Sequence, residues 1–338
     1  MVRGVGDIFA LSVRFRAHCD EPSNGVHCGE SPTVNTARVH PISVHPKTVL
    51  ITGCSSGIGR ATALAFLEED WSVYATARNP ADIETLGEKG CRIATLDVTD
   101  QDDVDRVVDR VIDEEGHLSC LVNNAGFGQM GPLEDVPTEQ VHRQFDVNVY
   151  GPHRLIRAVL PHMREQEDGT IVNLSSAAGR VSFPGGGVYA GSKFAIEAMS
   201  DALRNEVDEY GVDVVVIEPG PVETNFSDRV EREVHGNDGS AERGSDAGGG
   251  DGGGDIPGLE RSGAYESFYE LFSETQLIGG GGLGAISPGR VAEDVVDAAS
   301  STKPRARYQP GTAARVTVLA RHLPSRWLDT AYRYLRKL

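Results

Sequence analysis

The sequence predicts an α/β fold: a doubly wound domain with a mostly parallel central sheet and helices on both faces. Three observations carry that expectation. Short, almost wholly apolar runs such as Thr48 to Thr52 (TVLIT) and Val212 to Ile217 (VDVVVI) have the composition of strands buried on both faces. Helical patterns alternate with them, as in the acidic stretch Asp100 to Glu115, where Val104, Val107, Val108 and Val111 form one apolar stripe. A glycine-rich turn, Gly53-Cys54-Ser55-Ser56-Gly57-Ile58-Gly59, joins the first strand to an Ala-rich helical pattern that runs to about Asp70. That order places a pyrophosphate on a helix N-terminus, since the glycines permit close backbone approach and the first-turn N–H groups point at an anion.

Residues 1–44 read differently from the rest. They hold four acids and four Lys/Arg, show no helical or strand period, and are expected to be a disordered extension. A start site near Val44 is the sharper form of that expectation. His18, Cys19, His27 and Cys28 are adjacent pairs, not spaced metal ligands, and no metal site is expected. Residues 45–311 are read as the single catalytic domain. Ser72 to Ala77 is the second strand, Asp97 follows the third, and Leu118 to Val122 is the fourth. Thr138 to about Glu165 reads as a long helix interrupted near Gly151-Pro152. Ile171 to Ser176 is a further strand, followed by a Gly/Pro-rich loop and a helix starting near Tyr189.

Within 226–286, residues 236–255 contain nine glycines and five acids, a flexible, self-repelling insertion. The flanking Tyr265, Phe268, Tyr269, Leu271 and Phe272 suit either an apolar lid or an ordinary amphipathic surface helix. Phe183, Val188 and Phe226 are candidates for an apolar pocket wall. Residues 312–338 form a basic amphipathic tail: from Lys303 onward there are nine Lys/Arg and one acid, Asp329. A tail helix docked on its own acidic domain or on a partner subunit is expected, with contact to an anionic membrane surface as the alternative.

The formal net charge of −18, with 27 Arg, five Lys and 50 acids, argues against nucleic acid as a partner, because phosphate is repelled by an acidic surface. It also suits a halophile's protein, in which high salt screens repulsion between carboxylates. No apolar run reaches the length of a membrane span, and no signal peptide follows Arg3. Five scattered cysteines suit reduced thiols in a cytoplasmic protein.

The residues with chemistry cluster in one stretch. Tyr189 and Lys193 are four apart and so share a helix face, and Ser176 ends the strand before them. An ammonium beside a phenol favours phenolate and is expected to lower the Tyr189 pKa. A neighbouring hydroxyl can hold a carbonyl oxygen beside that phenol. Together with Thr52 and the Gly-x-x-x-Gly-x-Gly spacing, these residues resemble the short-chain dehydrogenase/reductase family in its compact branch. Further marks of that resemblance fall in order: Asp97 in LDVTD, Asn123-Asn124-Ala125-Gly126, Asn148 in FDVNVYG, and Pro219-Gly220-Pro221-Val222 with Thr224. The resemblance spans roughly 47–225, and KPRARYQPG looks like the family's closing strand. The wording of VYATAR, NNAGFGQMGPLE and VYAGSKFAIEAMSDALR is similar to its hydroxysteroid and retinol dehydrogenase-like members.

The resemblance implies a Rossmann-type fold and hydride transfer, without metal, between a nicotinamide cofactor and a secondary alcohol or ketone with apolar bulk. It implies Tyr189 as proton donor and acceptor, Lys193 on the nicotinamide ribose, Ser176 on the carbonyl and Asn148 in a proton relay. Gly53, Ser55, Ser56, Gly57, Ile58, Gly59, Arg78, Asp97, Val98, Asn124, Ala125, Gly126, Tyr189, Lys193, Pro219, Gly220, Val222 and Thr224 would then bind the cofactor, with Asn123 bordering the adenosine. At the end of the second strand Ala77 stands where an NAD site places an acid, and Arg78 can pair with a 2′-phosphate, so NADP is expected over NAD. A homodimer or homotetramer is implied as well. An NADP-binding regulator without catalysis is the alternative function, and an extended-branch epimerase or dehydratase lacks support from the glycine spacing.

Overall fold

The computed structural model describes residues 46–224, 259–266, 268–269 and 284–335. Seven parallel strands form one sheet in the order β3-β2-β1-β4-β5-β6-β7. They are β1 (Thr48–Ile51), β2 (Ser72–Ala77), β3 (Arg92–Thr95), β4 (Cys120–Asn123), β5 (Gly169–Leu174), β6 (Val212–Ile217) and β7 (Arg307–Tyr308). The helices are α1 (Gly57–Glu68), the single turn α2 (Glu84–Gly87), α3 (Gln101–Glu115), α4 (Thr138–Phe145), α5 (Gly151–Gln166), α6 (Gly187–Glu206), α7 (Pro288–Ser300), α8 (Thr312–Ala320) and α9 (Ser325–Leu335). The chain leaves β1 in one direction to build β2 and β3, then crosses back to β4. The resulting crevice between β1 and β4 is where a doubly wound sheet binds its ligand.

Alternation along each strand divides the core into two layers. Val49 and Ile51 face a layer with Phe66 of α1 and Val291 and Val295 of α7, whereas Leu50 faces Val104, Val108 and Val111 of α3 and Leu155 and Val159 of α5. Every position of β1 and β4 is therefore buried, and their near-continuous apolar composition follows. α3 starts at Asp100, whose carboxylate accepts from the Asp102 and Asp103 amides at 2.8 and 3.3 Å, and stops at Gly116 in the left-handed region.

The interruption expected near Gly151-Pro152 takes the form of a π-turn just before Gly151. The chain stays helical from Thr138 to Gln166 by widening into a π-turn over Asp146–Tyr150, where the Gly151 amide donates to the Asp146 carbonyl. Proline has no amide to donate, and the wider turn stands directly before Pro152 in the first turn of α5. Gly151 is required here for space: a Cβ would lie 2.8 Å from Val98 Cγ2. The leading 1–44 segment, the insertion at 236–255, Phe226, Leu271 and Phe272 lie outside the described residues.

Strand β7 has only two residues, and charge holds it to the sheet. Arg307 reaches Glu197 and Glu218 at 3.1 Å and Asp201 at 2.7 Å, while Arg180 meets Glu197 at 3.4 Å and Glu218 at 3.2 Å. The Glu218 side chain is wholly buried, and burial pushes its carboxyl above the usual range. Removing one member of such a cluster strands a buried charge, at a cost of about 3–5 kcal/mol. Arg307→Met is expected to lower unfolding stability by ~3 kcal/mol or more, measured by chemical denaturation.

Candidate active site

The crevice at the β1–β4 switch point is built by a clasp between two strand ends. Thr52 Oγ1 accepts from the Asn124 and Ala125 amides at 3.0 and 2.9 Å. Asn124 Nδ2 returns the contact, donating to the Thr52 and Gly53 carbonyls at 2.7 and 3.0 Å. Its amide therefore braces the glycine turn. Asn123 faces the other way, donating to Asn173 Oδ1 at 2.9 Å inside the sheet. Alternation of side chains along β4 is the reason: neighbouring residues point to opposite faces.

The turn fits a dinucleotide phosphate. Gly53 holds φ of +71°, and a Cβ on Gly59 would lie 2.3 Å from the Gly53 carbonyl oxygen. Ser56 caps α1 in extended conformation without a side-chain hydrogen bond to the helix, and no acid stands in the first turn. The first-turn amides are thus left to an anion, as phosphate binding requires. Ser55 and Ser56 are exposed and Ile58 half-buried. Thr224 lies beside Gly57, where a Cβ would come within 3.0 Å of its methyl group. Val222 pairs with Ile286, the Pro219 carbonyl accepts from the Ala177 amide at 2.8 Å, and Gly220 backs onto the Ala314 amide.

Two candidates sit differently. The Val98 side chain is buried in the core against Gly151, so only its backbone is available to a ligand. Asp97 turns one carboxylate oxygen onto the Thr99 amide and hydroxyl, at 2.9 and 2.7 Å. Arg78 is exposed at the end of β2, next to buried Ala77, and Ala125 and Gly126 line the loop after β4.

The four residues with chemistry converge. Ser176 follows β5, its hydroxyl accepting from the Ala178 amide at 3.1 Å, and it is hydrogen-bonded to the Tyr189 phenol on the first turn of α6. Lys193 is 7% exposed, and its Nζ donates to the Leu174 carbonyl at 2.8 Å and lies 5.8 Å from the Tyr189 ring centroid. Asn148, carried inward on the π-turn, accepts from the Phe127 amide at 3.1 Å. It donates to the Phe127 carbonyl at 2.9 Å and to Ser192 Oγ at 3.2 Å, which ties the long helix to α6. Among the described residues no group of three or more His, Cys, Asp and Glu is placed to hold a metal.

The electrostatics depart from expectation in one respect. Burial pushes the Tyr189 phenol up to about 12, opposed by the Ser176 hydrogen bond, so at neutral pH the phenol keeps its proton. Lys193 does not bring it down: its ammonium is over the ring face and bonded to a backbone carbonyl. Desolvation outweighs the distant charge. Burial pulls Lys193 itself down to about 8, and the Glu197 carboxylate one turn further along α6 opposes that.

An apolar cluster packs beside Tyr189. Met130, Phe183, Leu259, Tyr265, Phe268 and Tyr269 pack together with it, and Phe268 rests against Gly185, where a Cβ would lie 2.1 Å from the ring. Val188 is buried outside this cluster. Sequence reasoning missed the anchor of the segment. Asp135, wholly buried, accepts from the Tyr269 hydroxyl at 2.8 Å and the Ser262 amide at 3.2 Å, and Tyr265 donates to Glu134 at 2.7 Å. The adjacent acids of LEDVP were the available signal, but their partners lie more than a hundred residues away.

Glu197 was missed as well, and its influence can be measured directly. With five lysines in the chain, the ¹³C resonance of the Lys193 side chain can be followed by NMR. Glu197→Gln removes the charge that holds the ammonium protonated, so the Lys193 midpoint is expected to fall below about 8 by roughly one pH unit.

Comparisons with known proteins agree with the geometry. A family model described as short chain dehydrogenase matches residues 47–235. The chain is 44% identical over 188 residues, 55% of its own length and 70% of the relative's, to the uncharacterized oxidoreductase YbbO of Escherichia coli (strain K12). It is 40% identical over 185 residues, 55% of its length and 67% of the relative's, to the 3-ketodihydrosphingosine reductase of Bacteroides thetaiotaomicron. A solved short-chain dehydrogenase from Streptomyces avermitilis superposes with a TM-score of 0.67 at 31% identity, covering 87% of this chain and 96% of that one. The glycine crevice, the Ser176–Tyr189–Lys193 cluster and these likenesses lead to one conclusion: the chain belongs to the short-chain dehydrogenase/reductase family, enzymes that work with a nicotinamide cofactor.

Proposed function

We propose that the protein is an NADP(H)-dependent oxidoreductase that interconverts a secondary alcohol and a ketone carrying apolar bulk. The observation that carries this reading is the Ser176–Tyr189 hydrogen bond beside buried Lys193, flanked by the apolar cluster of Met130, Phe183 and Tyr269. The nicotinamide, when bound, supplies or takes the hydride at the carbonyl carbon. In the reducing direction Tyr189 gives its phenolic proton to the carbonyl oxygen while the Ser176 hydroxyl hydrogen-bonds the same oxygen. The C=O double bond becomes C–O–H, and the phenolate left on Tyr189 takes back a proton through the relay that Lys193 and Asn148 support. Burial keeps the phenol protonated at neutral pH, which favours the donor role. The relative named for 3-ketodihydrosphingosine supports a ketone with a long apolar portion, as the aromatic cluster beside Tyr189 does.

Arg78 and the absence of an acid at Ala77 support NADP, through charge-assisted bonds to a 2′-phosphate. Tyr150 and Phe194, exposed on the long helical stretches, support pairing into a dimer or tetramer. Buried, free Cys54, Cys91 and Cys120 support a reducing, cytoplasmic setting, and the acidic balance supports a salt-rich one. Among the described residues no helix is long and apolar enough to cross a membrane.

A panel of ketones and alcohols, assayed by NADPH and NADH absorbance in molar KCl, identifies the substrate. Tyr189→Phe is expected to lower turnover about 100-fold or more, as removal of a general acid does, with NADPH binding little changed in a fluorescence titration. No fall in turnover would refute the assignment. Arg78→Asp is expected to raise the KM for NADPH roughly 10-fold or more and to favour NADH, since the lost bonds carry a full charge. Steady-state kinetics with both cofactors checks it.

A further inference from the structure

The C-terminal tail has more apolar surface than its docking uses. One face of α9 is turned inward: Leu328 and Tyr332, four apart, line a groove of about 220 Å³ with Arg180, Val181 and Ser182. The Tyr332 hydroxyl donates to the Ser182 carbonyl at 3.0 Å. A helix that served only to cover its own domain would need that stripe and no other. A second stripe points to solvent. Trp327 and Tyr334, seven apart on α9, are 66% and 70% exposed; Val316 and Leu319 on α8 are 61% and 66% exposed; Leu323 between the helices, at the rim of the groove, is 44% exposed. Arg315, Arg321, Arg326 and Arg333 are all exposed on the tail, Arg321 at the groove rim, and Asp329 is the lone acid of α8 and α9.

We propose that the outward faces of α8 and α9 dock this protein on an anionic lipid bilayer. Trp and Tyr prefer the boundary between headgroups and acyl chains, and arginines flanking them reach lipid phosphates. A second copy of the chain fits the same surface poorly. Two-fold pairing brings a patch against itself, so four arginines would meet four arginines. The whole chain carries a net charge of −18 despite its basic tail, so its acidic body is repelled by an anionic surface and only the tail side can approach. The docked groove residue Ser182 immediately precedes Phe183 of the apolar cluster beside Tyr189, and attachment here sets that cluster near the source of an apolar substrate. That last point rests on the proposed function; the docking itself does not.

The test uses the full chain and vesicles of phosphatidylcholine with or without phosphatidylglycerol, in the lowest KCl at which the protein stays folded. The chain has two tryptophans, Trp71 buried and Trp327 exposed, so a blue shift and quenching by brominated lipid report Trp327. Flotation with the anionic vesicles and a Trp327 blue shift are expected, both weakened at least about tenfold in the Trp327→Ala/Tyr334→Ala variant. Arg326→Glu/Arg333→Glu is expected to weaken them similarly. These positions are exposed, so the variants should fold, as circular dichroism will verify. Failure to float with anionic vesicles overturns the proposal, as does equal flotation of wild type and the aromatic variant. Self-association that the aromatic variant abolishes, without vesicle binding, overturns it in favour of a second copy. None of these readouts requires turnover.

Discussion

A cation held away from water is the constraint on which the site depends. Lys193 is buried beneath Tyr189, and an isolated ammonium there would lose its proton. It is kept near its working range by a backbone acceptor, the Leu174 carbonyl, and by the Glu197 carboxylate one helical turn away. Both come from elements that must be in register. Leu174 ends β5, whose position is fixed by pairing with β4 and β6, and Glu197 is clamped by Arg180 and Arg307. The ion-pair cluster that closes the sheet at β7 therefore also sets the field at the site. Structural and chemical roles meet in one carboxylate.

The same economy governs the other side of the crevice. Thr52 and Asn124 join the ends of β1 and β4, and that join shapes the glycine turn. The π-turn at Asp146–Tyr150 performs a related task on the long helix, turning Asn148 inward just before Pro152. Loops complete the apolar side: Asp135 holds the segment bearing Tyr269, and Gly185 makes room for Phe268. A strand end and the helices packed on the sheet thus position the reacting groups, while loops of glycine and aromatic residues flank them on the apolar side.

Charge is distributed to match. Carboxylates dominate the molecule, yet the tail is basic and carries aromatic residues outward. An acidic body and a basic, apolar edge define an orientation toward any charged surface, whatever the affinity.

Much of this was legible in the residues alone. The strand runs, the α3 stripe and the Gly53–Gly59 turn describe local periodicity and backbone freedom, which are properties of neighbours in sequence. Tyr189 and Lys193 share a helix face because four residues make about one turn. Three features were not legible. Pro152 signals a helix break, and only the folded chain shows that the break is a π-turn that carries Asn148 inward. A phenol near an ammonium suggests a lowered pKa, and only the enclosed fold shows that desolvation is the larger effect. Glu197 and Glu218 with Arg307, or Asp135 with Tyr269, become partners across 89 to 134 residues. The sequence by itself determined which elements form and which groups carry the chemistry. Tertiary structure alone decided their protonation and their partners, because burial and electric field depend on what folds in from far along the chain.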